Sequence, residues 1–79
     1  MLFDIITAKY IDDYRVSVTF ENGKTGIVDF SPYVNSGGVF KMLGNKDYFK
    51  KFYINDDLGT ICWPNGADIA PESLYQLVL

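Results

Sequence analysis

The chain has 79 residues and a net charge of −3, with 48% apolar, 16% aromatic and 22% charged residues. That length fits one small domain, since domains usually run roughly 100–200 residues, and six Phe, six Tyr and one Trp exclude a disordered chain. Histidine is absent, which excludes histidine-based triads and the usual catalytic zinc sites.

Ile5 to Tyr10 reads as a first strand, ended by the turn-forming pair Asp12-Asp13. From Tyr14 to Phe20 the chain alternates strictly, placing Tyr14, Val16, Val18 and Phe20 on one face and Arg15, Ser17 and Thr19 on the other. Asn22-Gly23 predicts a tight type I′ hairpin in which both central residues take positive φ. Thr25 to Phe30 is the return strand, completing a three-strand antiparallel meander. Ser31 as N-cap and Pro32 at the first helical position open a short helical turn to Val34, which Asn35-Ser36-Gly37-Gly38 ends. Val39 to Leu43 and Lys46 to Phe52 are brief helical segments. In the second, Tyr48, Phe49 and Phe52 share a side while Lys46 and Lys50 face away.

A second hairpin is expected to close the sheet, with strands Tyr53-Ile54-Asn55 and Thr60-Ile61-Cys62-Trp63 joined by Asp56-Asp57-Leu58-Gly59. Pro71 starts a last helix, with Leu74, Leu77 and Val78 as its apolar stripe and Glu72 near its positive N-terminus. The predicted class is α+β: a small antiparallel sheet of about five strands, a meander plus a hairpin, with short helices and a C-terminal helix.

Cys62 is the only cysteine, so no intrachain disulfide forms, and a lone thiol fits a reducing cytosol. Met1-Leu2-Phe3-Asp4 lacks the basic start of a signal peptide, and no apolar run nears the ~18 residues that span a bilayer. A cytoplasmic protein with no membrane partner is expected. Charge is uneven: residues 41–51 hold four lysines and one aspartate, whereas residues 52–79 hold four acids and no base. The acidic balance disfavours nucleic-acid binding by the whole domain but leaves the basic island open to it.

The order of landmarks resembles the bacterial family catalogued as domain of unknown function 2442. The resemblance rests on Tyr14 to Phe20, Asn22-Gly23, Val28-Asp29-Phe30, Gly38 to Leu43, Phe49 and Gly59 to Tyr75. Its most specific part is Trp63-Pro64-Asn65-Gly66-x-Asp68-x-x-Pro71-Glu72-x-Leu74-Tyr75. The resemblance implies a small α+β fold and a stand-alone cytoplasmic protein. Some relatives carry a following helix-turn-helix domain and others look like one half of a two-gene, toxin-antitoxin-like pair. It supplies no catalytic residues to carry over.

Within the Trp63 to Tyr75 run, an exposed Trp63 beside a turn and an acid would make a recognition edge. The structural alternative places Trp63 in the core beneath the last helix, with Asp68 bonding backbone amides. Lys41, Lys46, Lys50 and Lys51 are interleaved with Phe40, Tyr48, Phe49, Phe52 and Tyr53. That pattern suits phosphate clamping and base stacking, or an ordinary solvated face over inward aromatics. Asp12-Asp13 and Asn55-Asp56-Asp57 lack the spacing of a calcium loop and read as turn formers. Nothing in the sequence brings Asp29 and Asp68 together as an acid-base pair. Cys62, without a histidine base, reads as a filler rather than a nucleophile, and Gly37-Gly38 lacks the lysine of a phosphate loop.

The expected function is a small binding or regulatory module, not an enzyme, with no cofactor or metal. Its expected partner is a protein, either a neighbouring-gene product or a second copy. The exposed members of Tyr33, Asp56, Asp57, Trp63, Asp68 and Tyr75 are the candidate contacts. The alternatives are nucleic-acid binding through the four lysines and a homodimer formed by an edge strand or by Leu77-Val78-Leu79.

Overall fold

In the computed structural model, which describes residues 3–78, three strands form an antiparallel meander. They are β1 (Ile5–Asp12), β2 (Arg15–Phe20) and β3 (Thr25–Asp29), paired in that order. The alternation along β2 sets its two faces: Val16, Val18 and Phe20 are fully buried and Arg15 is exposed. Register places Tyr10, Val16 and Val28 in one inward row, and Thr7, Thr19 and Thr25 in one outward row.

The turn between β2 and β3 differs from the type I′ expectation, since only Gly23 takes positive φ, at 91°. Gly23 N–H donates to Phe20 O at 2.9 Å and Phe20 N–H to Lys24 O at 2.8 Å, the pattern of a three-residue loop with a bulge at glycine. Asn22 keeps negative φ, and its Oδ1 accepts the Lys24 N–H at 3.0 Å, a local bond that Asn makes readily in turns.

The second hairpin, β4 (Tyr53–Asn55) and β5 (Thr60–Cys62), forms its own two-stranded ladder instead of extending the first sheet. Strand β1 is irregular between Ile5 and Thr7 and between Tyr10 and Asp12, and such bulges interrupt edge pairing. Ile5 N–H still reaches Gly59 O at 2.8 Å, so the hairpin is tied to the end of β1.

Among the described residues, four short helical segments complete the fold. In α1 (Ser31–Val34) the N-cap is Phe30 rather than Ser31. Ser31 is already helical, and Asp29 Oδ1 accepts both its N–H, at 2.9 Å, and its hydroxyl, at 2.7 Å. A 3-10 helix follows over Gly38–Gly44. Helix α2 (Lys46–Phe49) is capped by Asn45, whose side chain accepts the Tyr48 N–H at 3.2 Å, and it ends three residues before Phe52.

In helix α3 (Pro71–Leu77) the expected inward residues Leu74 and Val78 do face the core, whereas Leu77 does not. Leu74 is buried, Pro71 and Tyr75 are half-buried on the same side of the helix, and Val78, extended just past its end, is half-buried as well. Leu77 is exposed in consequence, and Leu79 lies outside the described residues. The core is aromatic: Phe49 meets the rings of Tyr10, Tyr14, Phe30, Phe52 and Trp63 at centroid distances of 5.2–6.2 Å.

Candidate functional site

The chain after β5 folds back along it. Trp63 N–H donates to Ala67 O at 2.9 Å, Cys62 and Asp68 form an antiparallel bridge, and the Thr60 hydroxyl donates to Ile69 O at 2.6 Å. The reversal at Pro64-Asn65-Gly66 is held by Asn65 Oδ1, which accepts the Ala67 N–H at 3.0 Å. The local acceptor role expected of Asp68 is therefore taken by Asn65. Asp68 is left exposed.

At the other end of β5, Asn55 Oδ1 accepts the N–H groups of Asp57 and Leu58 at 2.9 and 3.2 Å. With its backbone so fixed, the turn presents Asp56, Asp57 and Leu58 to solvent, Leu58 being 51% exposed. Between this turn and the returning chain lies an open cleft of about 170 Å³, lined by Leu58, Thr60, Asp68, Ile69, Ala70 and Pro71. It is smaller than the roughly 300–1,000 Å³ typical of small-molecule sites and has the scale of one side chain. Its walls are mostly apolar and its exposed charge is the Asp68 carboxylate. That chemistry suits a cationic group carried on an apolar stem.

Cys62 lies behind this edge, buried. Burial pushes its thiol above the ordinary value and the negative charge of Asp68 adds to the rise, while a backbone hydrogen bond from Asn55 acts against both. The thiol is thus held protonated, the opposite of an activated nucleophile.

The candidate contact residues divide. Asp68 lines the cleft, and Asp56 and Asp57 precede Leu58 in its turn. Trp63 is fully buried, and its indole N–H donates to Phe49 O at 2.8 Å, so it offers no surface to a partner. Of the two readings of Trp63, the core one holds and the recognition edge does not: the indole packs between Phe30 and Phe49. Tyr33 is half-buried against Phe30 and Phe40. Tyr75 stacks edge-on against Phe20, its hydroxyl accepts from Asn22 Nδ2 at 3.1 Å, and Lys24 sits over its ring. Both tyrosines join elements of the fold and lie away from the cleft lining.

The four lysines are exposed, and all but Lys41 are engaged with their own chain. Lys46 donates to Asp13 at 3.0 Å, which raises its pKa, and Lys50 and Lys51 sit over the rings of Tyr10 and Tyr48. Of the interleaved aromatics, Phe49 is buried, Phe40, Tyr48 and Phe52 are half-buried, and Tyr53 is exposed. Among the described residues no group of three or more His, Cys, Asp and Glu is placed to hold a metal ion. The Asp12 carboxylate is taken by Arg15, whose hydrogen bond holds its pKa below the usual value. Asp29 is lowered in the same sense by Ser31. Among the described residues no helix is long and apolar enough to cross a membrane.

Exposed apolar residues outside the sequence candidates include Leu58, the pair Val39 and Met42 on the 3-10 helix, and Ile6 and Ile11 on β1. A leucine inside the acidic turn Asp56-Asp57-Leu58-Gly59 was the available signal for the first. The spacing of three residues was the signal for the second.

The run that builds this edge, Trp63 to Tyr75, falls within a family match. The family model described as "Protein of unknown function (DUF2442)" matches residues 5–78. The chain belongs to the DUF2442 family. Comparisons with curated proteins and with solved structures returned no match. In this DUF2442 chain the family-resembling segment supplies three things at once. Trp63 and Leu74 serve the core, Asn65 and Gly66 the reversal, and Asp68 to Pro71 the cleft wall.

Proposed function

We propose that this DUF2442 protein is a cytoplasmic binding and regulatory module, without catalytic activity, that docks a basic segment of a protein partner on its Leu58 edge. In this role it would act as one half of a toxin-antitoxin-like pair. The observation that carries the reading is the exposed Leu58 beside a cleft walled by apolar side chains and Asp68. Asp56 and Asp57 adjoin it, and Glu72 follows Pro71. Residues 52–79 contain no base, and the acids Asp56, Asp57 and Asp68 at this edge steer a cationic partner and disfavour anionic ones. The single buried thiol supports a reducing compartment.

Co-purification with the product of the neighbouring gene tests the reading. The expected result is a complex that forms more slowly as salt rises and is lost in an Asp57→Lys/Asp68→Lys double variant. Persistent absence of a complex, or a complex indifferent to that double variant, overturns it. The lysine-based nucleic-acid reading draws less support, since three of the four lysines already have partners in the chain.

A further inference from the structure

Among the described residues, two of the exposed apolar features flank β5, besides Ile6 and Ile11 on β1. The Leu58 turn precedes Thr60, whereas the turn after Cys62 carries Asn65, and Asn65 Nδ2 reaches across to the 3-10 helix, donating to Val39 O at 2.9 Å. Val39 and Met42 are 55% and 52% exposed. Residues three apart eclipse one another on a 3-10 helix, so these two side chains form one ridge, with Lys41 between them in sequence. The Asn65 amide also lies 3.8 Å from Met42 Sδ, so the ridge is held in shape before any partner arrives. One surface is therefore an apolar ridge carrying Lys41, and the other is an apolar cleft with an acidic rim.

We infer that the Val39–Met42 ridge of one molecule docks into the Leu58–Asp68 cleft of a second copy, with Lys41 facing the acidic rim. The inference rests on the same binding edge as the proposed function and names a competitor for it, the protein itself. Ridge and cleft are different surfaces, so the contact is heterologous: each copy keeps one free ridge and one free cleft, and growth is head-to-tail. The whole described surface is 4565 Å², and a stable interface takes about 800 Å² from each partner. A two-residue ridge in a side-chain-sized cleft falls short of that, so the association is of the weak, transient class.

Sedimentation of the full chain from low micromolar to about millimolar concentration tests this, using Met42→Asp to block the ridge and Leu58→Asp to block the cleft. Both positions are exposed, and circular dichroism checks that each variant folds. The wild type is expected to gain mass with concentration, each variant to stay monomeric, and their equimolar mixture to form a dimer and nothing larger. Lys41→Glu and Asp68→Lys, each weakened alone and restored on mixing, give the same answer through charge. A wild type monomeric throughout, a single variant that still dimerises, or a mixture that stays monomeric overturns the inference. Met42→Asp leaves the acidic edge intact, so its binding to the neighbouring-gene product reports on that function separately.

Discussion

The indole N–H of Trp63 donates to the main-chain carbonyl of Phe49 at 2.8 Å, and both side chains are fully buried. Phe49 ends α2, where helix carbonyls lack intrahelical donors, so the bond ties the chain just after β5 to the end of that one-turn helix. Trp63→Phe removes the donor and leaves a gap against Phe30. A loss of about 2–4 kcal/mol is expected, read as a lower urea midpoint at unchanged slope. A variant as stable as the wild type would show that the bond and the ring contacts contribute little.

Gly59 and Gly23 both take positive φ, at 66° and 91°, but their surroundings differ. A Cβ at Gly59 would overlap the Asp4 carboxylate, whereas one at Gly23 meets open space. Gly23→Ala therefore pays only for backbone conformation, about 1 kcal/mol. Gly59→Ala must also displace Asp4 and disturb the bond from Ile5 that ties the hairpin to β1. About 2–4 kcal/mol is expected there, since clash and strain add. Urea denaturation of the pair checks the order, and equal losses would contradict it.

The alternation along β2 was legible because one buried face imposes a period of two, and Val16, Val18 and Phe20 obey it. Pro71 was legible as a helix start because its fixed φ suits only the first turn. The inward face of α3 was not: choosing between Leu77 and Tyr75 depends on Phe20 and Asn22, more than fifty positions away. Asn22-Gly23 was legible as a turn but not as its type, which the Asn22 side chain decides by bonding Lys24. Trp63 carried an ambiguity that local pattern cannot resolve, since its partner Phe49 comes from another element. Of the site, the acids were visible and the cleft was not, because it exists only once Ile69 and Ala70 return alongside Thr60.

Asn65 holds two structures together, through Oδ1 to Ala67 N–H and through Nδ2 to Val39 O. Asn65→Ala removes both bonds at an exposed position, and a loss of about 1–2 kcal/mol is expected. The effect should be local as well as global. Amides within Gly38–Gly44 should exchange faster because the bond to Val39 is gone, and those of β2 should exchange faster in step with the loss of overall stability. Unchanged exchange within Gly38–Gly44 would mean that Asn65 does not anchor the 3-10 helix.

The raised pKa of Cys62 makes stability depend on pH at the alkaline end. In the unfolded chain the thiol titrates near its ordinary value of 9.0, and in the folded chain it titrates higher, because burial and then Asp68 disfavour the thiolate. Between the two values the folded state holds more protons. The stabilisation is accordingly complete below 9.0 and is lost as pH rises through the folded value. As pH rises from 9.0 toward the folded value, the urea midpoint of the wild type should fall more steeply than that of Cys62→Ala, whose remaining titrations are shared. A thiol reagent should react slowly with the folded protein at pH 8 and rapidly in urea, and Asp68→Asn should speed the folded reaction by removing the nearby negative charge. Equal rates in the folded and urea-unfolded protein would show that neither burial nor Asp68 restrains the thiol.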